Sequence, residues 1–134
     1  MREKDISVAV DVVIQREEEV LLIKRKNAPF LGQWALPGGF IEKDEEVLTA
    51  ALRELREETN ATLTEDTLEF IGYFDAPDRD PRGRIITFAF GTQVNGTIPV
   101  TPGDDAWDAR WFSIHDLPDM AFDHRTILAQ WLEY

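Results

Sequence analysis

The chain has 134 residues, of which 43% are hydrophobic and 30% are charged, with no cysteine and a formal net charge of -12 at pH 7. This length and composition are typical of one soluble globular domain. The absence of cysteine excludes disulfides, thiolate zinc sites and cysteine nucleophiles. The excess of acidic residues disfavours binding to long nucleic acids, whose phosphates it would repel, but it is compatible with carboxylates that recruit divalent cations.

The N-terminal residues and the hydropathy of the chain bear on its location. No signal-peptide pattern is present at residues 1–11. No stretch approaches the roughly 18 consecutive apolar residues of a membrane span. We therefore expect a cytoplasmic protein without a membrane partner, organised as a single domain over residues 1–134.

Two segments near the N-terminus, residues 6–14 and 20–24, are short and rich in β-branched residues. They predict two neighbouring strands, with residues 15–19 as a polar turn between them. Prolines and glycines in residues 27–39 then predict irregular structure until the chain passes Lys43.

The clearest predicted helix spans residues 44–59. Asp44 is its predicted N-cap, with Glu45 and Glu46 in the first turn, where they complement the helix dipole. Asn60 stands where a left-handed residue is expected to end the helix. The prediction rests on apolar residues at three- and four-residue intervals, namely Val47, Leu48, Ala51, Leu52 and Leu55.

Further strands are predicted at residues 68–74, 84–94 and 106–112. The first two are joined by residues 75–83, which carry two prolines and are predicted to form a surface loop. A second helix is predicted at residues 123–131. This order of elements indicates an α/β or α+β fold, a mixed sheet with helices packed against it, rather than repeated βαβ units.

Three glutamates of the first helix, Glu54, Glu57 and Glu58, are three and four residues apart. They therefore share one helix face, within an arc of about 100°. Like charges so close destabilise a helix, whereas hard divalent cations take carboxylate oxygens as ligands. The trio alone leaves two interpretations open, a metal site and a solvated acidic face.

The glutamates are framed by other residues at fixed intervals. Gly39 is followed after five residues by Glu45, and after seven more by Arg53-Glu54-Leu55-Arg56-Glu57-Glu58-Thr59-Asn60-Ala61. This segment, residues 39–61, resembles the Nudix box, G-x5-E-x7-R-E-U-x-E-E-x-G-U. The sequence departs from the box at Asn60 and Ala61. Asparagine tolerates the left-handed conformation well, so Asn60 preserves the shape of the motif.

The resemblance to the Nudix hydrolases implies a Nudix fold, in which a mixed sheet lies between helices. It also implies hydrolysis of a nucleoside diphosphate linked to another group, with Mg²⁺ or Mn²⁺ as cofactor. Arg53 and Glu45 are expected to pair and to fix the helix against the preceding loop. The metal would be held by four groups, the carbonyl of Gly38 and the carboxylates of Glu54, Glu57 and Glu58.

The identity of the general base stays open between two regions. Glu57 is one candidate, and Asp105 or Asp104 in the Gly103-Asp104-Asp105 turn is the other, because a loop near that position supplies the base in some Nudix pyrophosphatases. The two aspartates are equally well interpreted as residues that shape a turn before a strand.

Three arginines, Arg79, Arg82 and Arg84, lie within six residues of an otherwise acidic chain. Guanidinium groups bind phosphate in a bidentate manner, so a phosphate-binding loop is one interpretation, and a hairpin turn with solvated charges is the other. The R-D-P-R-x-R pattern resembles a stretch found in ADP-ribose pyrophosphatases, in related bifunctional enzymes of NAD metabolism and in ADP-ribose-sensing repressors. Residues 121–124 are also similar to that branch. The resemblance favours hydrolysis of ADP-ribose to AMP and ribose 5-phosphate over hydrolysis of a nucleoside triphosphate.

Two aromatic residues, Trp34 and Phe40, flank the Gly-Gly turn and could stack on a base, although aromatics beside a loop usually belong to the core. His124 is interpreted as a helix-start residue, with access to the active site as the alternative, and His115 as a surface residue. Trp107, Trp111 and Trp131 are assigned to packing.

The expected partner is a small nucleotide rather than nucleic acid. A non-catalytic ADP-ribose sensor is disfavoured, because every glutamate of the box is retained and no basic helix-turn-helix segment follows Trp131. The related branch is commonly dimeric, so a homodimer is an expected alternative to a monomer.

Overall fold

The computed structural model describes residues 5–95, 99–101, 103 and 106–133, apart from the side chain of Trp107. None of the helices within these ranges is long and apolar enough to cross a membrane. A short 3₁₀ helix spans Glu65–Thr67. The strands and the two α-helices are, in chain order, β1 (Ser7–Arg16), β2 (Glu19–Arg25), β3 (Trp34–Ala35), β4 (Gly38–Phe40), α1 (Val47–Thr59), β5 (Glu69–Phe74), β6 (Ile85–Gln93), β7 (Ala106–Ser113) and α2 (His124–Leu132).

These strands form one mixed sheet with the order β3-β2-β1-β6-β5, in which β4 also pairs with β1 and β7 with β2. The pair β1–β6 is parallel over nine residue pairs, from Ser7–Ile85 to Gln15–Gln93. All other pairs are antiparallel. The predicted mixed sheet is confirmed.

The two helices cover opposite faces of the sheet, because successive side chains of a strand point to opposite sides. Val13 of β1 packs with α2, whereas its neighbours Val12 and Ile14 pack with α1. The helix side chains that fill the two layers are Ala50, Ala51 and Leu55 on one face and Ile127, Leu128 and Trp131 on the other. The expected sandwich, an α+β Nudix fold, is confirmed, and the assignment of Trp131 to packing is confirmed with it.

Only the C-terminal end of α1 agrees with the sequence prediction. The helix begins at Val47 with Glu46 as N-cap and no acidic residue in its first turn, so the prediction of Asp44 as N-cap is wrong. The reason is that Glu45 is engaged outside the helix, where its carboxylate accepts hydrogen bonds from Arg53 and from the backbone of Glu42. At the other end Asn60 is left-handed, with φ 60°, as predicted.

The region around the first two turns also differs from the prediction. Gln15 and Arg16 continue β1, so the turn is shorter than expected. Regular structure was not expected before Lys43, yet β3 and β4 are present. Gly38–Phe40 is extended because it pairs antiparallel with β1, at Ala9–Asp11. Such pairing is a tertiary effect that local turn residues do not reveal.

Candidate active site

Arg53 lies at the centre of the acidic face of α1. Its Nε and Nη2 donate to the carboxylate of Glu45 at 2.7 and 2.8 Å, which is the expected pair. Its Nη1 donates to Glu54 at 2.7 Å and to Glu57 at 3.1 Å, and Nη2 also donates to the carbonyl of Phe40 at 3.0 Å. The hydrogen bond from Arg53 lowers the pKa of Glu45 below its usual range. Arg53 therefore fixes α1 to β4 and orients two of the three motif glutamates.

The Gly-Gly turn is packed directly against the same helix. The backbone N–H of Gly38 donates to Oε1 of Glu58 at 2.7 Å. A Cβ atom at Gly39 would lie 2.4 Å from Oε2 of Glu54, closer than real Cβ contacts allow. Gly39 is therefore required for this close approach of strand and carboxylate. The spacing of glycine and glutamate in the sequence corresponds to a physical contact.

The donor set of this region fits a hard divalent cation. Glu54 and Glu58 are buried, at 8% and 6% exposure, while the side chain of Glu57 is 41% exposed. Carboxylate and carbonyl oxygens are the ligands that Mg²⁺ and Mn²⁺ prefer. Among the residues that the structure describes, no three acidic or histidine side chains converge on one point. Glu54 and Glu57 accept hydrogen bonds from Arg53, and Glu58 accepts one from the N–H of Gly38. A bound cation would therefore share the carboxylate oxygens with these donors.

A small pocket of about 90 Å³ lies beside the Gly-Gly turn. The pocket is lined by residues of β1 and β4, by the arginine loop (residues 79–84) and by the segment that leads into α2. This volume admits a phosphate-sized group rather than a whole nucleotide, for which roughly 300 Å³ or more is usual. The polar and aromatic side chains that line it are Asp11, Arg25, Phe40, Arg79, Asp80, Arg82, Phe122 and His124.

The arginine loop is less exposed than the sequence predicted. Arg79 and Asp80 are buried, at 9% and 5% exposure, so the prediction of a surface loop is wrong at its centre. The physical reason is ion pairing. Arg79 donates twice to Asp123, at 2.6 and 2.9 Å, and Arg82 donates twice to Asp80. Arg84 donates to the carbonyl of Asp75.

These pairs determine the charge that each arginine presents to the pocket. Burial lowers the pKa of Arg79, but the hydrogen bonds and charge of Asp123 outweigh it and raise the pKa overall. Burial likewise raises the pKa of Asp80, but its bonds to Arg82 lower it overall. The charge of Arg79 is thus compensated by Asp123 and that of Arg82 by Asp80, and the guanidinium of Arg82 also lies 4.8 Å from the ring centre of Phe40.

Arg25, at the end of β2, is a pocket residue that the sequence analysis missed. Its Nε donates to the carbonyl of Pro29 at 2.8 Å, and its guanidinium lies 5.0 Å from the ring centre of Phe122. Burial and the nearby charge of Arg82 lower its pKa. The only sequence signal is a cation that ends an apolar strand, and this signal is too common to identify a site.

The remaining predicted residues are placed as follows. Phe40 is 40% exposed and lines the pocket. Trp34 packs edge-on against Phe112 at 4.7 Å and is not part of the pocket lining. His115 is at the surface, with 70% of its side chain exposed, as predicted.

The second candidate region for the general base follows Gly103, which lies at the C-terminal end of α1. Asp104 and Asp105 are outside the described residues. The preceding Gly103 is described, and its N–H donates to the carbonyl of Glu58 at 2.9 Å. A Cβ atom at Gly103 would clash with the backbone of Glu57. The chain thus passes close to the motif glutamates just before Asp104.

Comparisons with known proteins identify similar sequences and similar structures. The family model for the NUDIX domain matches residues 5–132. An ADP-ribose pyrophosphatase from Methanocaldococcus jannaschii is 44% identical over 128 residues, which cover 96% of this chain and 74% of that protein.

Two solved structures are similar over almost the whole chain. The NUDIX domain of Shewanella oneidensis NrtR, in complex with ADP ribose, has a TM-score of 0.89 at 30% identity, over 97% of this chain and 88% of that chain. A bifunctional NMN adenylyltransferase/ADP ribose pyrophosphatase from Francisella tularensis, with AMP and a Mn ion, has a TM-score of 0.85 at 35% identity. The match covers 97% of this chain but only 42% of that enzyme. With the family model matching residues 5–132, the chain belongs to the NUDIX domain family and is a Nudix hydrolase.

Proposed function

We propose that this Nudix pyrophosphatase hydrolyses ADP-ribose to AMP and ribose 5-phosphate with Mg²⁺ or Mn²⁺ as cofactor. The main support for this proposal is that two kinds of functional groups lie close together. One pocket brings the Gly38-Gly39 turn, which contacts the glutamates of α1, together with the guanidinium groups of Arg25 and Arg82. Cationic groups around a phosphate-sized space, next to a turn that contacts acidic residues suited to a divalent cation, suit a pyrophosphate linkage. The pyrophosphatase from M. jannaschii and the NrtR domain that binds ADP ribose support this substrate.

The metal would be bound by Glu54, Glu57 and Glu58 with the carbonyl of Gly38. A bound divalent cation would neutralise the bridging phosphates and supply an acidified water molecule for attack on phosphorus. Arg53 contributes by holding the carboxylates of Glu54 and Glu57 on the same side of α1. The protein thereby orients its acidic ligands before the substrate arrives, which reduces the cost of ordering them in the reaction.

The proton of the attacking water would be accepted by Glu57 or by Asp105. Among the three motif glutamates, exposure favours Glu57, because 41% of its side chain is exposed, whereas Glu54 and Glu58 are buried. Water adds to one phosphorus, the bond from that phosphorus to the bridging oxygen breaks, and the bridging oxygen leaves with the other phosphate. AMP and ribose 5-phosphate are the two products.

The substrate would be bound by the aromatic and basic groups of the pocket. Arg25 and Arg82 would bind phosphate oxygens, since both residues line the pocket and their guanidinium groups lie near the ring of Phe122, at 5.0 and 5.3 Å. Phe40 would contact the sugar or base that extends out of the pocket. Arg79 and Arg84 have the more remote roles of shaping the arginine loop. A cytoplasmic location, a single domain over residues 1–134 and a homodimer stay predictions.

The proposal is tested by a substrate panel. The purified protein with Mg²⁺ is incubated with ADP-ribose, NADH and 8-oxo-dGTP in turn, and products are separated by chromatography. We expect the highest kcat/KM for ADP-ribose, with AMP and ribose 5-phosphate in equal amounts, and loss of turnover when EDTA removes the metal. A preference of about 100-fold for the triphosphate, which is the discrimination that pocket contacts commonly provide, would overturn the proposed substrate.

A further inference from the structure

His124, the first residue of α2, connects parts of the molecule that are far apart in the sequence. It is 5% exposed, and its Nδ1 lies 3.0 Å from the backbone nitrogen of Leu36, 88 positions away. Because a backbone N–H can only donate, Nδ1 must accept, and the ring proton is on Nε2. Nε2 lies 3.2 Å from Oδ1 of Asp11. The imidazole therefore bridges the backbone of Leu36 and the carboxylate of Asp11.

Asp11 in turn lies against the Gly-Gly turn. It is 5% exposed, and its Oδ2 accepts a hydrogen bond from the hydroxyl of Thr87 at 2.6 Å. Asp11 is the strand partner of Gly38, and a Cβ atom at Gly38 would lie 2.4 Å from Oδ1 of Asp11. The oxygen that faces His124 thus also faces the backbone of Gly38. Buried contacts of this kind fix a segment more firmly than packing alone.

The residue before His124 connects to the arginine loop. Asp123 forms a partly buried ion pair with Arg79 of this loop, at 2.6 Å. Just upstream, the N–H of Ala121 donates to the carbonyl of Trp34 at 2.8 Å. Two consecutive side chains at the start of α2 therefore contact two separate segments that contribute to the pocket lining. The relative position of these segments depends on one short stretch of chain.

We infer that His124 is a positioning residue, which holds the backbone of Leu36–Gly38 near the carboxylates of α1 while Asp123 holds the arginine loop. Besides its pairing with β1, the segment is held by the bond from Leu36 to His124 and the bond from Gly38 to Glu58. Loss of the bond to His124 loosens the N-terminal end of this segment and, with it, the position of the Gly38 carbonyl beside Glu58. The inference rests on the proposed function in that the pocket binds the substrate.

The test separates the two contacts of the ring. An asparagine amide places a polar atom near the position of Nδ1, and a glutamine amide places one near Nε2. His124→Asn therefore keeps an acceptor for Leu36, whereas His124→Gln keeps only a group facing Asp11. Two quantities are measured, kcat and KM for nucleotide hydrolysis, and the hydrogen-exchange rate of the Leu36 amide by NMR in the metal-free protein.

We expect His124→Gln to lower kcat by about tenfold or more, with KM changed less, since small misplacements of reacting groups have effects of this size. The Leu36 amide should exchange at least about tenfold faster in the same variant, because its hydrogen bond is lost. His124→Asn should retain both quantities within about threefold of the original protein.

Two results would overturn the inference. One is a His124→Gln protein with faster Leu36 exchange and unchanged kcat. The other is a His124→Asn protein whose kcat falls by tenfold or more (~1.4 kcal/mol) while the Leu36 amide stays protected. The second result decides the matter even if His124→Gln does not fold.

A matched control excludes a general loss of stability. Leu128→Ala creates a cavity in the same helix, away from the pocket. It should lower Tm yet leave kcat within about twofold of the original. If it lowers kcat as far as His124→Gln does, the positioning role is rejected. Should ADP-ribose fail as a substrate, Leu36 exchange and kcat on the nucleotide that is cleaved still test His124 independently.

Discussion

Helix α1 and the arginine loop both carry charged residues at short intervals, but their charged side chains are arranged differently. In α1 the charges Glu54, Glu57 and Glu58 share one face with Arg53 among them. In the arginine loop Arg79 points to Asp123 and Arg82 to Asp80. A helix fixes side-chain directions through its period, whereas a loop leaves them to whichever partners the fold supplies. Spacing is therefore a reliable guide to a shared site in a helix and a poor one in a loop.

The sharpest test of the helix side of this comparison is Glu57→Gln. We expect kcat to fall by about 1000-fold, because the loss of a few kcal/mol of transition-state stabilisation has this effect. Binding of Mn²⁺, followed by titration calorimetry, should weaken as well. Glu46→Gln removes an exposed glutamate at the N-cap and is the matched control, expected to change kcat by less than about twofold. Full activity of Glu57→Gln would remove the basis for a metal site on α1.

Substitution of Arg25 tests whether an arginine outside the arginine loop also binds the substrate. Arg25→Ala should raise KM for ADP-ribose by about 10- to 100-fold with a smaller change in kcat, because a charged hydrogen bond to substrate is lost. Arg110→Ala, whose side chain is 65% exposed, is the control and should leave KM unchanged. An unaltered KM for Arg25→Ala would mean that, of the arginines that line the pocket, only those of the arginine loop bind the substrate.

Arg79 decides between two roles for the arginine loop. Arg79→Ala should lower the free energy of unfolding by about 2 kcal/mol, because it leaves a partly buried Asp123 without its partner. This is less than for a fully buried pair, since the side chain of Asp123 is 23% exposed. Urea unfolding measures the change. Arg84→Ala, which removes a single bond to the backbone carbonyl of Asp75, should cost less than about 0.5 kcal/mol. An unchanged stability together with a higher KM would instead favour direct phosphate binding by Arg79.

The smallest expected effect is a pH dependence at Asp80. Its pKa is lowered in the folded state, since its bonds to Arg82 outweigh the effect of burial. The stabilisation is therefore complete above the unfolded value of about 3.9 and is lost as the pH falls through the lower folded value. Asp80→Asn should reduce stability at neutral pH by less than about 1 kcal/mol, because Arg82 is partly exposed. Urea unfolding from neutral to acid pH should show this difference vanish, and a constant difference would contradict the assignment.

Much of the fold was predictable because its signals are local. The apolar period of α1 and the β-branched segments of β1 and β2 predicted elements whose observed ends differ by at most three residues. The short strands β3 and β4 were not predictable, because their extended shape results from pairing with β2 and β1 rather than from their own residues. The N-cap of α1 was missed for a related reason, since Arg53 engages Glu45 outside the helix.

By itself, the sequence determined the family and the acidic face of α1, since the spacing of Gly39, Glu45, Arg53 and the three glutamates specifies contacts within one turn and one helix. Only the tertiary structure decided which residues surround the pocket. Arg25, Asp11 and His124 come from β2, β1 and α2, and no local pattern relates them. They meet because the antiparallel pairing of β1 with β2 and the packing of α2 bring together positions that are separate along the chain.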